Sequence, residues 1–154
     1  MAWQDSPPPI EKNEEPTALD PEEIASFLEY GGPFSQYFEA YEQRPQQVDM
    51  LKAVTNALSN GNHLMVEAGT GVGKSFAYLI PAALFAVQNN TRVVISTNTI
   101  NLQEQLVQKD IPDLRAALQL DAKSFQIIAR GKCGQDFNIA SIARSTVIVD
   151  RPSH

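Results

Sequence analysis

The stretch Glu67-Ala68-Gly69-Thr70-Gly71-Val72-Gly73-Lys74-Ser75 decides how the rest of the chain reads. An apolar run, His63-Leu64-Met65-Val66, stands before it, and a helical pattern from Phe76 to Val87 follows. The order is strand, Gly-rich turn, Lys-Ser, helix. That is the setting a phosphate-binding P-loop requires.

The residue types suit a triphosphate. Backbone N–H groups reach crowded anionic oxygens only where no Cβ intervenes, and Gly69, Gly71 and Gly73 leave that approach open. A helix starting near Lys74 turns its unpaired N–H groups and positive dipole end toward the same anion. Lys74 supplies a compact charge for the β- and γ-phosphates, and the Ser75 hydroxyl is a ligand for Mg²⁺. Residues 68–75 (Ala68, Gly69, Thr70, Gly71, Val72, Gly73, Lys74 and Ser75) are therefore the expected ATP and Mg²⁺ site. Ala68 stands where the general pattern has Gly, a form common among helicases.

Working outward, the chain of 154 residues is within the range of one domain, and its 43% hydrophobic content can build a core. No apolar run approaches the ~20 residues that span a bilayer. The start carries Pro7-Pro8-Pro9 and acids, so no signal peptide is read. The single cysteine, Cys133, excludes an internal disulfide framework and fits a reducing cytoplasm. The net charge of −6 is unevenly spread. Residues 1–43 hold ten acids and one base, whereas residues 44–154 hold eleven bases and eight acids. The part with the P-loop is thus mildly basic, which permits nucleic-acid binding without demanding it.

Residues 1–19 read as a disordered acidic leader or linker, and residues 20–154 as the folded part, with 134–154 of uncertain structure. Asp20 is an N-cap with Pro21 at the first helical position, and Gly31-Gly32-Pro33 ends that short helix. Phe34, Tyr37, Phe38 and Tyr41 form an aromatic cluster, read as a lid packed on the main domain rather than a base-stacking platform. Arg44-Pro45-Gln46-Gln47 opens a helix that stops at Gly61, and Arg44 and Gln47 are candidates for an adenine edge. Pro81 lies inside the helix after Ser75. Arg92 to Ser96 is a second strand, and strand–helix–strand implies a right-handed unit with parallel strands. Thr97-Asn98-Thr99 caps a helix with Leu102 and Leu106 inward and Gln103, Glu104, Gln105 and Gln108 outward. Pro112 interrupts it. Phe125 to Ala129 and Thr146 to Asp150 are further strand candidates, and Asp150 is a weak candidate for a Mg²⁺-side catalytic carboxylate.

Three segments together resemble the start of a DinG-type helicase, in the XPD-like branch of superfamily two. They are Arg44-Pro45-Gln46-Gln47 with Met50, residues 67–75, and Ser96-Thr97-Asn98-Thr99 with Leu102-Gln103-Glu104-Gln105-Leu106. The likeness covers roughly residues 20–133. It implies a partial RecA-like P-loop domain, an α/β fold whose parallel sheet is flanked by helices. It also implies ATP hydrolysis coupled to 5′-to-3′ movement on single-stranded DNA. Arg44 and Gln47 would lie at the adenine, and Ser96, Thr97, Asn98 and Gln105 on the DNA backbone. Cys133 would be the first ligand of the iron–sulfur cluster of an intact relative.

Departures temper that expectation. An iron–sulfur cluster needs four thiolates, and this sequence has one cysteine. No Asp-Glu pair follows Ser75, so the motif that activates water is missing. The reading is an incomplete helicase fragment, truncated or shifted in frame after about Cys133, that binds ATP and Mg²⁺ without a cluster. The acidic leader also looks like a linker that could follow an upstream domain. The alternatives are a non-catalytic nucleotide-binding or interaction fragment and, further off, another small P-loop enzyme such as a kinase.

Overall fold

Proline and cap residues set the helix starts. In the computed structural model, which describes residues 13–97 and 99–120 and the backbone of 126–130 and 145–150, Asp20 caps α1 (Pro21–Ser26) by accepting from the Glu22 N–H at 2.9 Å. Pro33 opens α2 (Pro33–Tyr37), and Pro45 opens α3 (Pro45–Asn60) after an extended Arg44, because a residue before proline is driven out of the helical region. Gly61 ends α3 at φ 64°. The next helix, α4 (Lys74–Asn89), begins directly after Gly73 and ends on Asn90 in the left-handed region. Strand β1 (Val93–Thr97) follows.

Thr99 caps α5 (Ile100–Gln105) by accepting from Leu102 N–H at 3.2 Å. The helix then widens into a π-turn over Leu106–Asp110 before α6 (Ile111–Ala117). Pro112 explains the widening. Its ring would strike the carbonyl four residues back and it donates no N–H, and an i→i+5 turn relieves that clash. The expected interruption is therefore a change of helical pitch, with Ile111 N–H bonded to the Leu106 carbonyl. Gln103, expected outward, is buried one turn before Leu106.

The core lies between α4 and the helices around it. Side chains with almost no exposure include Leu28, Phe34, Leu51, Leu79, Ile80, Leu106, Ile111 and Leu114. Helix α4 is apolar on most of its circumference, as a central helix must be, and α3 packs along it while α1 packs on α3. The aromatic cluster is the expected lid: Phe34 meets Phe76 edge-on at 5.1 Å, Phe38 lies 5.8 Å from the same ring, and the Tyr41 hydroxyl donates to the Leu28 carbonyl. Tyr37 donates to Asp113 at 3.0 Å, joining α2 to α6, and the Asp113 carboxylate holds that phenol's pKa up. Among the described residues no helix is long and apolar enough to cross a membrane.

Three expectations change. Residues 13–19 of the leader lie against α3 and α4: the Asn89 side chain accepts from Thr17 N–H at 2.6 Å and donates to its carbonyl at 3.1 Å, and Leu19 is buried. Asn89 acts as donor and acceptor at once, an amide pattern that matches one backbone residue, so this polar segment docks without much apolar surface. Residues 1–12 lie outside the described residues.

Second, the strand expected over His63–Val66 does not form; Met65 is 98% exposed and Leu64 and Val66 are exposed too. A strand needs a ladder partner, and no described segment pairs with this run.

Third, the sheet is antiparallel, in the order β1-β3-β2, with β2 (Gln126–Arg130) and β3 (Ser145–Asp150). Val94 stands opposite Ile148 and Ile95 opposite Val147, while Ile127 pairs with Val149 and Ile128 with Ile148. Cross-strand pairs of β-branched residues support a ladder, and an apolar run offers them equally to a parallel or an antiparallel neighbour.

Candidate nucleotide-binding site

The glycine pattern acts at the start of α4. Gly71 and Gly73 have φ of 77° and 79°, the left-handed region that glycine enters without a Cβ penalty. At Gly69 and Gly71 an added Cβ would meet open space, so anion oxygens have room beside the main chain. At Gly73 a Cβ would run into the Gln47 amide, and that position is closed on steric grounds as well. The sixteen-residue α4 then begins at Lys74, with its unpaired N–H groups and dipole end at the loop.

Arg44 and Gln47 brace the loop from the start of α3. The Arg44 guanidinium donates to the Gly71 carbonyl at 2.7 Å, and the Gln47 amide donates to the Gly73 carbonyl at 2.8 Å. Gln47 is 6% exposed, and Glu42 pairs with Arg44 at 3.3 Å. Lys74 donates to the Ala68 carbonyl at 2.6 Å, so its ammonium bridges the two ends of the turn. Arg44, Gln47, Ala68, Gly71, Gly73 and Lys74 are thus brought into one cluster, with Gly69, Thr70 and Val72 between them in the chain and Ser75 directly after.

The donors fit a magnesium–triphosphate group: open space beside two glycines, a helix start, one ammonium and one hydroxyl. Ser75 would hold the metal and Lys74 the phosphates. The helix behind the turn is present and the strand in front of it is not, so the loop is braced from α3 rather than from a sheet. A cavity of about 510 Å³ lies elsewhere, between Phe27, Pro33, Tyr37, Leu84 and Leu118, and no loop residue lines it.

The four residues expected on DNA are treated differently by the fold. Ser96 is exposed. Thr97 is buried and its hydroxyl donates to the Thr99 carbonyl at 3.3 Å. Gln105 donates to Asp110 at 3.1 Å. Asn98 lies outside the described residues, as does Cys133. Asp150 is displaced from its expected role. Val149 pairs with Val93, so Asp150 ends β3 beside the start of β1, next to the C terminus of α4. A helix of sixteen residues is about 24 Å long, and the P-loop is at its other end. The direction of β3 is the physical reason: a parallel strand would have delivered the same carboxylate at the loop.

Two polar residues without a motif also belong to the neighbourhood. Tyr78 lies one turn into α4; burial raises its pKa, the Ser75 hydroxyl opposes that rise, and the Asp110 charge adds to it. Asp110, 4% exposed, sits in the π-turn against α4. Only the proline two residues after Asp110 hints in the sequence that the helix face rotates there. Among the described residues no cluster of His, Cys, Asp and Glu could hold a metal ion.

Comparison with known proteins agrees with the loop. Residues 44–138, well over half of the chain, match the DEAD/DEAH box helicase family. The chain is similar to the ATP-dependent DNA helicase YoaA of Haemophilus influenzae, 34% identical over 137 residues, covering 79% of this chain and 21% of that protein. It is 51% identical over 72 residues to the ATP-dependent helicase DinG of Mycobacterium tuberculosis, covering 47% of this chain and 11% of the relative. It is 44% identical over 78 residues to the 3′-5′ exonuclease DinG of Bacillus subtilis, covering 51% and 8%. The chain therefore spans about a fifth or less of the length of these relatives. No solved structure matches. A Gly-rich turn opening a long helix, braced by the Arg and Gln that begin the matched region, places this DinG-like chain in the DEAD/DEAH box helicase family.

Proposed function

We propose that this chain binds ATP with Mg²⁺ through residues 68–75 and belongs to the ATP-binding part of a DinG-like DNA helicase. One observation carries the reading: the loop's carbonyls are held from behind by Arg44 and Gln47, which leaves its N–H groups for an anion. Lys74 then neutralises phosphate charge, and Ser75 offers an oxygen to the metal, which supplies charge stabilisation at the phosphates when bound. Arg44 and Gln47 act on the loop in this reading; a contact to adenine is a second role for the same side chains. Ser96, Thr97, Asn98 and Gln105 form the DNA-facing segment, where polar groups at a helix start suit phosphate contacts that position a strand without reading its sequence. Residues 20–154 are the partial helicase domain, working in the cytoplasm.

The test is a titration of the purified chain with fluorescent ATP and Mg²⁺, beside Lys74→Ala. The expected result is saturable binding that weakens at least tenfold in the variant. Equal binding by both proteins would end the P-loop assignment.

A second reading, binding without turnover, is favoured by the far position of Asp150 and by the missing Asp-Glu pair. It expects no ATP hydrolysis and no strand separation by the purified chain. Phosphate release that Lys74→Ala abolishes would refute it.

A further inference from the structure

Helices α3 and α4 lie side by side and are tied together at both ends. At one end, Arg44 and Gln47 of the α3 start hold the loop that opens α4. At the other end both helices meet one strap, residues 13–19. On the α4 side, the Asn89 side chain accepts from the Thr17 N–H at 2.6 Å and donates to the Thr17 carbonyl at 3.1 Å. Asn13 donates through its side chain to the Gln88 carbonyl at 3.2 Å and through its N–H to the Asn89 carbonyl at 3.4 Å, serving carbonyls that a helix end leaves unpaired. On the α3 side, the Ser59 hydroxyl accepts from the Leu19 N–H at 2.9 Å, and the Leu19 side chain joins the core. Thr17 and Leu19 are next-but-one neighbours, so the strap fixes the spacing of the two helix ends.

Asn89 is 2% exposed. A buried amide whose partner leaves is left unsatisfied, so the strap is held in place by polar groups as well as by Leu19. The consequence reaches the loop because a helix is stiff. Gln47 and Ser59 lie about 18 Å apart along α3. Over that length a change of about 3° in the angle between the helices moves the Gln47 amide by about 1 Å. Its bond to the Gly73 carbonyl is 2.8 Å long, and that displacement carries it beyond hydrogen-bond range. The brace on the loop therefore needs the angle between α3 and α4 held within a few degrees.

We propose that residues 13–19 act as a clamp, through Asn89 and Ser59, that keeps α3 aligned on α4 and so holds Arg44 and Gln47 on the P-loop. Asn89 is then a positioning residue for a nucleotide site at the opposite end of α4. This rests on the assignment of residues 68–75 as the nucleotide site and goes beyond it. Docking of the strap and binding of ATP with Mg²⁺ favour each other, by the same factor in both directions.

The experiment uses the full chain and has two readouts. The first is the affinity for fluorescently labelled ATP with Mg²⁺, for the wild type, Lys74→Ala, Thr17→Pro and Asn89→Ala. The second is the rate of cleavage at Glu14 and Glu15 by a Glu-specific protease, with and without ATP and Mg²⁺. Thr17→Pro removes the N–H that Asn89 accepts and changes no residue of either helix. It is expected to weaken ATP binding about threefold to fivefold, the worth of one brace bond, and Asn89→Ala is expected to weaken it likewise. In the wild type, saturating ATP with Mg²⁺ is expected to slow cleavage by a similar factor; at the same concentration Lys74→Ala is expected to show no slowing. A Thr17→Pro chain that melts at lower temperature but binds ATP as the wild type does would make the strap structural only and overturn the proposal. Wild-type cleavage unchanged by ATP that does bind would also overturn it. Both results leave the P-loop assignment standing. Wild-type binding no tighter than Lys74→Ala would remove that assignment, and this coupling with it. If Asn89→Ala does not fold, Thr17→Pro decides by the same criteria.

Discussion

Replacing Gln47 tests whether the P-loop is held from α3. The side chain is 6% exposed, and its amide reaches the Gly73 carbonyl at 2.8 Å. Gln47→Ala removes one hydrogen bond, worth about 1 kcal/mol net, and one buried methylene, worth about 0.8 kcal/mol. The expected loss of stability is about 2 kcal/mol, read as a lower urea midpoint. The share felt by the nucleotide is the freed carbonyl alone, about 1 kcal/mol, or roughly a fivefold weaker dissociation constant. Gln47→Glu is the sharper variant. It keeps the shape but turns a donor into an anionic acceptor facing a carbonyl, and is expected to cost more than Gln47→Ala on both measures. Gly73→Ala attacks the same contact from the other side: the left-handed backbone costs a residue with a Cβ about 1–2 kcal/mol, and that Cβ would displace the Gln47 amide. Because both changes break one contact, the double variant should lose less than the sum of the two. An unfolding midpoint and an affinity unchanged within twofold in Gln47→Ala would refute the bracing argument.

Two further outcomes follow from the packing. Asn89→Ala removes the bonds to Thr17 and the one to the Phe85 carbonyl at 3.2 Å. It should lower stability by about 1–3 kcal/mol and speed cleavage at Glu14 and Glu15 by a Glu-specific protease; unchanged cleavage would mean that residues 13–19 are not held by Asn89. The Tyr41 pKa is raised, first by burial, then by Tyr30, with Arg44 opposing. A raised folded-state value means that its contribution is complete below the ordinary phenol range, about pH 10, and is lost as pH climbs through the folded value. Melting temperature should therefore fall more steeply above pH 10 in the wild type than in Tyr41→Phe, and parallel curves would contradict this.

Much of the local structure is legible in single residues. Asp20 with Pro21, Pro45, Gly61 and Thr99 each act within one turn of chain, and each starts or ends the helix expected of it. The glycine spacing likewise announces the loop, since a positive φ at Gly73 depends only on that residue and the helix it opens. Arg44 and Gln47 were legible as partners of the site but not in kind: α3 has to pack on α4 before their targets prove to be main-chain carbonyls.

What only the tertiary structure decided are the properties set by a neighbour. Whether His63–Val66 becomes a strand depends on another strand, and none pairs with it among the described residues. Whether β3 runs with or against β1 decides which end of the sheet receives Asp150, and apolar side chains do not encode direction. Asp110 is buried within a π-turn, a change of pitch that a fixed helical period does not describe. The sequence by itself determined the chemistry of the loop, because backbone freedom, charge and hydroxyl belong to individual residues. The surroundings of that chemistry are decided by contacts between distant segments, because a ladder or a buried polar group exists only when its partner arrives.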